Sequence, residues 1–362
     1  MSTLPGRSSE VFAGEVGAVA PVERFDPSHY FLDPTSFSSE GLWAFCCFDS
    51  AEIPALRLGF QRGGFNGGPG ERVPSPHFLQ LHLEPITAAG AILWLPSGTY
   101  DACAVRVARG TMDIVLEHEG QRIFRLHGWP TVECEFRSSD GELEARLTFD
   151  FRFGVVLPDC HLPHCLFGMW EAVTRVAGTV RVAGRTVPVS GRAFVDHTRV
   201  IPKRQAVAMR TRYLYTTLHL EDGSGLFGYH SFDVAGHPID DYCFGVFIDP
   251  DGRGIYATDV VLTRLRRDTD SVGAAWAFQW SAPEFLLAAD VEVGEGSAAI
   301  LKCWGAADAP QTRRELSILP LVLRGTVTVS SGPRTTVLKA NGLAEYFDAG
   351  LWPADKAALS SS

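Results

Sequence analysis

From about residue 78 onward, apolar and polar residues change places every second position. HFLQLHLE, MDIVLEHEG, QRIFRLHG, TVECEFR and LEARLTFDFRF follow one another with short breaks. This is the period of a strand that buries one face. In 143–152, Leu143, Ala145, Leu147, Phe149 and Phe151 fall on one side, and Glu144, Arg146, Thr148, Asp150 and Arg152 on the other. Asp140-Gly141, Asp222-Gly223 and Asp251-Gly252 sit between such runs and supply the positive φ of tight hairpins. The second half continues in the same manner with YLYTTLHLE, GLFGYHSFDV, CFGVFID and LPLVLRGTVTVS. Helical periodicity is scarce; 204–214 and 344–352 are the two candidate helices.

Short texts recur at a nearly constant separation. Leu81-His82-Leu83-Glu84 returns as Leu218-His219-Leu220-Glu221, and Gly178-Thr179-Val180 as Gly325-Thr326-Val327. RTVPVSGRAFVDH (185–197) aligns without a gap on RTTVLKANGLAEY (334–346), which sets Asp196 over Glu345. Three matches in one order indicate a duplicated unit. The expectation is an all-β chain of two antiparallel barrels or sandwiches with few helices. Residues 1–40, rich in Ser and Pro, read as a tail that wraps the first domain, 41–204 as the first barrel and 205–362 as the second.

Composition narrows the function. The chain has 362 residues, 46% hydrophobic and 20% charged, with a formal net charge of −10. That is a globular balance, and its sign argues against nucleic acid as the main partner. No apolar run has the length of a membrane span, and the N-terminal stretch has no continuous apolar core of the secretory kind. The expectation is a soluble cytoplasmic protein. Its eight cysteines, Cys46, Cys47, Cys103, Cys134, Cys160, Cys165, Cys243 and Cys303, then read mostly as small core residues rather than disulfides.

The sharpest chemical signal is Gly191-Arg192-Ala193-Phe194-Val195-Asp196-His197. A carboxyl ending an apolar strand can be desolvated, kept protonated and used as an acid, with the histidine beside it to orient or reload it. The same residues could equally be a satisfied polar pair that caps a strand. Cys160-His161-Leu162-Pro163-His164-Cys165 has the side chains of a zinc site but not its ligand spacing, so no metal is expected. His82 and His219 alternate with leucines and read as surface positions or, alternatively, as lumen-facing groups. Tyr213, Tyr215, Tyr229, Phe232, Tyr242, Phe244 and Phe247 would line a pocket or fill a β-core equally well. Residues 63–70, GGFNGGPG, lack the Lys-Ser/Thr of a phosphate loop and read as a surface loop. Neither Gly-x-Ser-x-Gly nor His-Glu-x-x-His occurs.

In order, Gly41-Leu42-Trp43, Met169-Trp170-Glu171, Gly-x-Val-x-Val (178–182), Gly-x-Ala-x-x-Asp-His (191–197) and Gly342-Leu343-Ala344-Glu345 give the chain a family look. It resembles the lipocalin-like family that includes carotenoid 1,2-hydratase and fungal Diels–Alderases. The family continues Asp-His with x-Trp-Gly; here Thr198-Arg199-Val200 follows, so the surroundings of the acid differ. The resemblance implies two calycin-like barrels and a hydrophobic small-molecule substrate, namely a polyene, isoprenoid or polyketide. It also implies hydratase or cyclase chemistry with no metal and no organic cofactor. Under it Asp196 and His197 would be catalytic. Trp170, Glu171, Tyr215, Tyr229, Tyr242 and Glu345 would meet the substrate, which could be collected by peripheral membrane contact. A non-catalytic carrier of a hydrophobic small molecule is the alternative, because a barrel that binds need not react.

Overall fold

The structure, a computed structural model, describes residues 19–22, 39–62, 65–66, 73–74, 78–87, 90–92, 97–99, 112–118, 121–157, 160–161, 165–202, 211–233, 243–257, 259–268, 271–294, 300–304 and 314–348. Among these residues every regular element is a strand. In the first half these are β1 (Val19–Pro21), β2 (Ser39–Phe48), β3 (Ala55–Arg62), β4 (Phe65–Asn66), β5 (Val73–Pro74), β6 (Phe78–Thr87), β7 (Gly90–Ala91), β8 (Ser97–Thr99), β9 (Met112–His118), β10 (Gln121–Gly128), β11 (Thr131–Arg137), β12 (Leu143–Val156), β13 (Cys160–His161), β14 (Cys165–Val182) and β15 (Arg185–Pro202). The second half contributes β16 (Thr211–Leu220), β17 (Gly225–Asp233), β18 (Phe244–Ile248), β19 (Gly254–Ala257), β20 (Asp259–Asp268), β21 (Ser271–Ala282), β22 (Phe285–Val293), β23 (Ile300–Trp304), β24 (Arg314–Ser331) and β25 (Arg334–Asp348).

The two large sheets are antiparallel and share one plan. The first runs β7-β6-β3-β2-β15-β14-β12-β11-β10-β9 and the second β19-β18-β17-β16-β25-β24-β22-β21-β20. In each, the first long strand pairs with the last (β2 with β15, β16 with β25), and a long closing hairpin (β14–β15, β24–β25) forms the middle. A short strand also pairs with that hairpin in both, β13 on β14 and β23 on β24. Each sheet curls into a barrel around its own apolar cluster: Leu42, Leu58, Leu83, Phe124, Leu147, Phe149 and Val195 in the first, and Trp276, Trp280, Leu287, Leu323 and Ala344 in the second. The alternation across 143–152 is realised, with Leu143, Ala145, Leu147, Phe149 and Phe151 all buried. All three Asp-Gly glycines take positive φ, at 73°, 98° and 82°.

Several expectations need correction. The 204–214 segment is not one helix: Thr211–Leu214 already belong to β16, and 203–210 lie outside the described residues. Ala344–Asp348 likewise continue β25, because each residue there pairs with both β16 and β24. The Leu-His-Leu-Glu repeat is not structural, since one copy falls on β6 and the other on the end of β16 and the turn after it, and the places of β6 and β16 in the two sheets differ. The 185–197 and 334–346 segments do occupy equivalent strands, as do the two Gly-Thr-Val texts. Part of the N-terminal tail is a strand: β1 pairs with β12. Phe65–Asn66 and Val73–Pro74 form a small ribbon beside the glycine-rich stretch. Cys46, Cys47 and Cys134 are buried free thiols, in keeping with their reading as core residues. The side chains of 160–165 lie outside the described set.

A third apolar cluster lies between the barrels. It joins Phe45, Ile86, Met169 and Phe194 of the first to Tyr215, Phe227, Tyr229, Phe244 and Leu343 of the second. The outward faces of β2, β3, β6, β14 and β15 are therefore buried against a second sheet. Burying a side chain of this size contributes about 1.5–3 kcal/mol each, so the seam is a core in its own right.

Candidate active site in the seam

The seam places charged groups among these apolar residues. Across the first sheet, Glu171 pairs in register with Asp196, Asp196 with Trp43, Trp43 with Gly59 and Gly59 with His82. Side chains directly opposite on an antiparallel pair have Cβ atoms about 4.5–5.5 Å apart. The carboxyls of Glu171 and Asp196 are therefore neighbours on one face. Gly59 makes room for the Trp43 indole, because a Cβ there would fall 2.7 Å from a Trp43 ring carbon. One hydrogen-bonded step along, Arg57 of β3 faces Glu84 of β6.

Arg57 is the cation of the cluster and is 1% exposed. Its Nη1 donates to both carboxylate oxygens of Glu84, at 3.2 Å each. Its Nη2 donates across the seam to Glu345 Oε2. The guanidinium also lies over Trp43, 4.7 Å from the ring centroid, and near Phe45, where a desolvated cation–π contact adds about 2 kcal/mol. Burial would weaken Arg57's hold on its proton, but Glu345 and Glu84 offset this and raise its pKa. His82 Nδ1 is 2.7 Å from Glu84 Oε1, and burial pushes the Glu84 carboxyl up despite Arg57.

The second barrel supplies the hydroxyls. Tyr215 donates to Glu171 Oε1 and Tyr213 to Glu345 Oε1, the latter at 2.6 Å. Both phenols are held well above their ordinary pKa, by burial first and then by the carboxylates they face, so they act as donors. Asp196 and Glu171 differ from Glu84 and Glu345 in having no cation within hydrogen-bonding distance among the described residues. Asp196 Oδ1 and Glu171 Oε2 are buried with no hydrogen-bond partner there. Desolvation drives both carboxyls well above the usual range; Glu171 and Glu345 add to the shift of Asp196, while Arg57 opposes it. Two adjacent carboxyls in a dry seam cannot both ionise cheaply, so the pair holds a proton that can be donated.

The structure brings together Asp196, Glu171, Tyr215, Tyr229 and Glu345 of the residues singled out from sequence. Tyr229 stacks on Phe244 at 5.9 Å and lies 4.7 Å from Tyr213. It separates two others. His197 is the next residue on β15, so it turns to the opposite face, pairing with Leu42 inside the first barrel. Asp196 and His197 therefore do not form a pair, because strand alternation divides them. Trp170 also lies inside the first barrel, stacked on Phe151. Tyr242 lies outside the described residues. Arg57, Glu84, His82 and Tyr213 complete the site. His82 and His219 are neither surface nor lumen groups: the seam buries them to 0% and 2% exposure.

Among the described residues, the interior of the first barrel is packed rather than open. The cavity beside Leu42, Trp43, Phe124 and Val195 is about 20 Å³, far below the roughly 300–1,000 Å³ of small-molecule pockets.

No protein-family model matches this chain, and no curated protein matches its sequence. Solved structures do match. A candidate AttH protein from Nitrosomonas europaea superposes over 90% of this chain and 96% of its own, at a TM-score of 0.56 and 12% identity. Kievitone hydratase from Nectria haematococca matches 86% of this chain and 88% of its own, at 0.52 and 9%. The chain has the tandem lipocalin-like barrel fold. In this lipocalin-like pair the acid cluster occupies the seam and not a barrel lumen.

Proposed function

We propose that the protein is a cofactor-independent enzyme that donates a proton to a lipophilic, unsaturated small molecule in the seam, as a hydratase does. The observation that carries this reading is the Asp196–Glu171 pair: two buried carboxyls face to face, unneutralised and steadied by Tyr215. The fold shared with a hydratase agrees with it but does not establish it. Asp196 would give its proton to an alkene carbon. The aromatic faces of Trp43, Tyr229 and Phe244 would stabilise the cation, at about 2 kcal/mol per desolvated contact. A water would then add, and its surplus proton would return to the carboxyl pair, closing the cycle. Tyr215 would hold Glu171 in place throughout. The partly buried Trp43, Tyr213 and Tyr256 mark the side from which a substrate would approach. Arg57 would fix Glu345, and its positive charge offsets only part of the rise in the Asp196 pKa.

The test incubates the full chain with a panel of acyclic isoprenoid polyenes in ¹⁸O-labelled water and follows the mass of the products. Labelled alcohol is expected, together with a loss of about 10²–10⁴ in turnover in Asp196→Asn, the usual worth of a general acid. Retention of the polyene, followed by native mass spectrometry, should be unchanged. Retention without conversion by the unaltered protein would make it a carrier. Undiminished turnover in both Asp196→Asn and Glu171→Gln would move the acid elsewhere.

A further inference from the structure

We propose that the far end of the seam is a second binding site, in which Arg175, Arg192 and His219 hold a small molecule through a carboxylate or phosphate oxyanion. A cavity of about 450 Å³ opens there, within the size range of small-molecule sites. Arg175 and Arg192 line it from directly opposite positions on β14 and β15. Like charges facing each other in a sheet are destabilising unless something lies between them. Neither guanidinium has a carboxylate oxygen within 4 Å among the described residues. Asp150, which also lines the cavity, turns to Arg152 at 3.6 Å. Asp49 sits at the rim as the other carboxylate.

Arg192 is already aimed. Its Nη2 donates to the Leu220 carbonyl at 2.8 Å and its Nη1 to the Ser224 carbonyl at 3.4 Å, both on the second barrel. A guanidinium has five N–H donors, so others remain for a ligand. His219 is the second, independent observation. It lines the cavity, is 2% exposed, and neither ring nitrogen has a hydrogen-bond partner. Buried polar groups in native proteins are paired, and one that is not requires an explanation. A ligand atom entering the cavity supplies the missing partner. Phe194 stacks on the imidazole at 4.8 Å and fixes its plane. Burial, then Arg192, lowers the His219 pKa to about 3. The ring is therefore neutral and offers one N–H, while the two arginines carry the charge. A planar fork opposite an oxyanion is the arrangement that gives paired, charge-assisted bonds.

This site is separate from the acid pair. Arg192 precedes Asp196 by four residues on the same strand, about 13 Å at roughly 3.3 Å per residue. The buried rings of Phe194, Phe45 and Phe227 fill the space between.

The experiment titrates the full-length protein with inorganic phosphate and, separately, with succinate. The ring-proton NMR signals of His219 are followed at constant ionic strength set by sodium chloride. A saturable shift with phosphate alone assigns a phosphate-bearing ligand, and with succinate alone a carboxylate; either supports the site. Arg175→Gln and Arg192→Met should each weaken binding about tenfold or more. Arg192 also braces the second barrel, so Arg175→Gln decides if the other variant does not fold. The proposal is overturned if neither anion gives a saturable shift, or if Arg175→Gln binds as well as the unaltered protein.

Discussion

The same row of five positions crosses both sheets, and the two barrels have filled it differently. In the first it reads Glu171, Asp196, Trp43, Gly59, His82; in the second, Pro320, Glu345, Tyr215, Tyr229, Phe244. Two residues away the first barrel has Phe194, Phe45, Arg57, Glu84 where the second has Leu343, Thr217, Phe227, Val246. One barrel holds most of the charge; the other holds aromatics, two phenolic hydroxyls and a single carboxylate.

That asymmetry makes the barrels depend on each other. Arg57 of the first needs Glu345 of the second, and Glu171 of the first needs Tyr215 of the second. A symmetric seam would have set carboxylate against carboxylate, or buried phenols with nothing to bond. Duplication supplied the scaffold twice, and divergence made the polar groups complementary across it. The candidate site therefore exists only when the barrels are docked, and the proposed activity would depend on the seam.

The largest effect expected is at Arg57. Arg57→Met leaves Glu84 and Glu345 buried without their cation, and breaking a buried ion pair in this way costs about 3–5 kcal/mol. The equivalent position in the other barrel, Phe227, has no charge to orphan. Phe227→Leu trims a buried ring without leaving a polar group unpaired, so it should cost less than the roughly 3–5 kcal/mol of a Phe→Ala truncation, about 1–2 kcal/mol. Urea denaturation of both variants measures the contrast. Equal losses would mean that the charges add nothing beyond packing.

Next come the two tyrosines that cross the seam. Tyr215→Phe leaves Glu171 without its described donor, a loss of about 1–3 kcal/mol for a buried polar group. Tyr213→Phe should cost less, because Glu345 keeps Arg57. A double-mutant cycle between Tyr215→Phe and Glu171→Gln isolates the contact. A coupling of zero would show that the hydroxyl and the carboxyl are energetically independent.

The strands themselves were legible in the sequence, because alternation is local: Leu143 to Phe151 announce their buried face without help from the rest of the chain. The duplication was legible where a long segment carried it, 185–197 on 334–346. It misled where a tetrapeptide did, since any half-buried strand can spell Leu-His-Leu-Glu. Alternation reveals two faces but not what covers the second. His82, Glu84 and His219 sit on faces that would meet water in a lone barrel, and only a docked second barrel buries them. One local hint was present at Arg57, a lone charge in the apolar strand ALRLGF. Asp196 next to His197 looked like a pair on paper, yet consecutive strand residues face opposite ways. The helix expectation at 344–352 failed at its start for a long-range reason, pairing of Ala344–Asp348 with β16 and β24.

The smallest effect concerns how stability varies with pH, and it separates Asp196 from its counterpart Glu345. Unfolded, the Asp196 and Glu171 carboxyls ionise near 3.8 and 4.5; folded, they keep their protons to higher pH. Above about pH 4 the native state thus binds more protons than the unfolded chain, and stability falls as pH rises toward the folded values. Buried histidines act on the other side. His219 and His230 are lowered from 6.5 to about 3 and about 4, so the unfolded chain takes up protons below pH 6.5 that the native state refuses, and stability also falls on acidification. Stability should peak between these limits. Asp196→Asn cannot ionise, so its curve should be flatter on the alkaline side, with its maximum moved to higher pH. Glu345→Gln instead removes the acceptor of Arg57 across the seam and should lower the whole curve, while Asp196 remains in place to give it an alkaline slope. Urea denaturation from pH 4 to pH 9 distinguishes the two. An alkaline slope in Asp196→Asn as steep as that of the unaltered protein would mean that Asp196 is already ionised in the seam, and the proton-donor reading would fall with it.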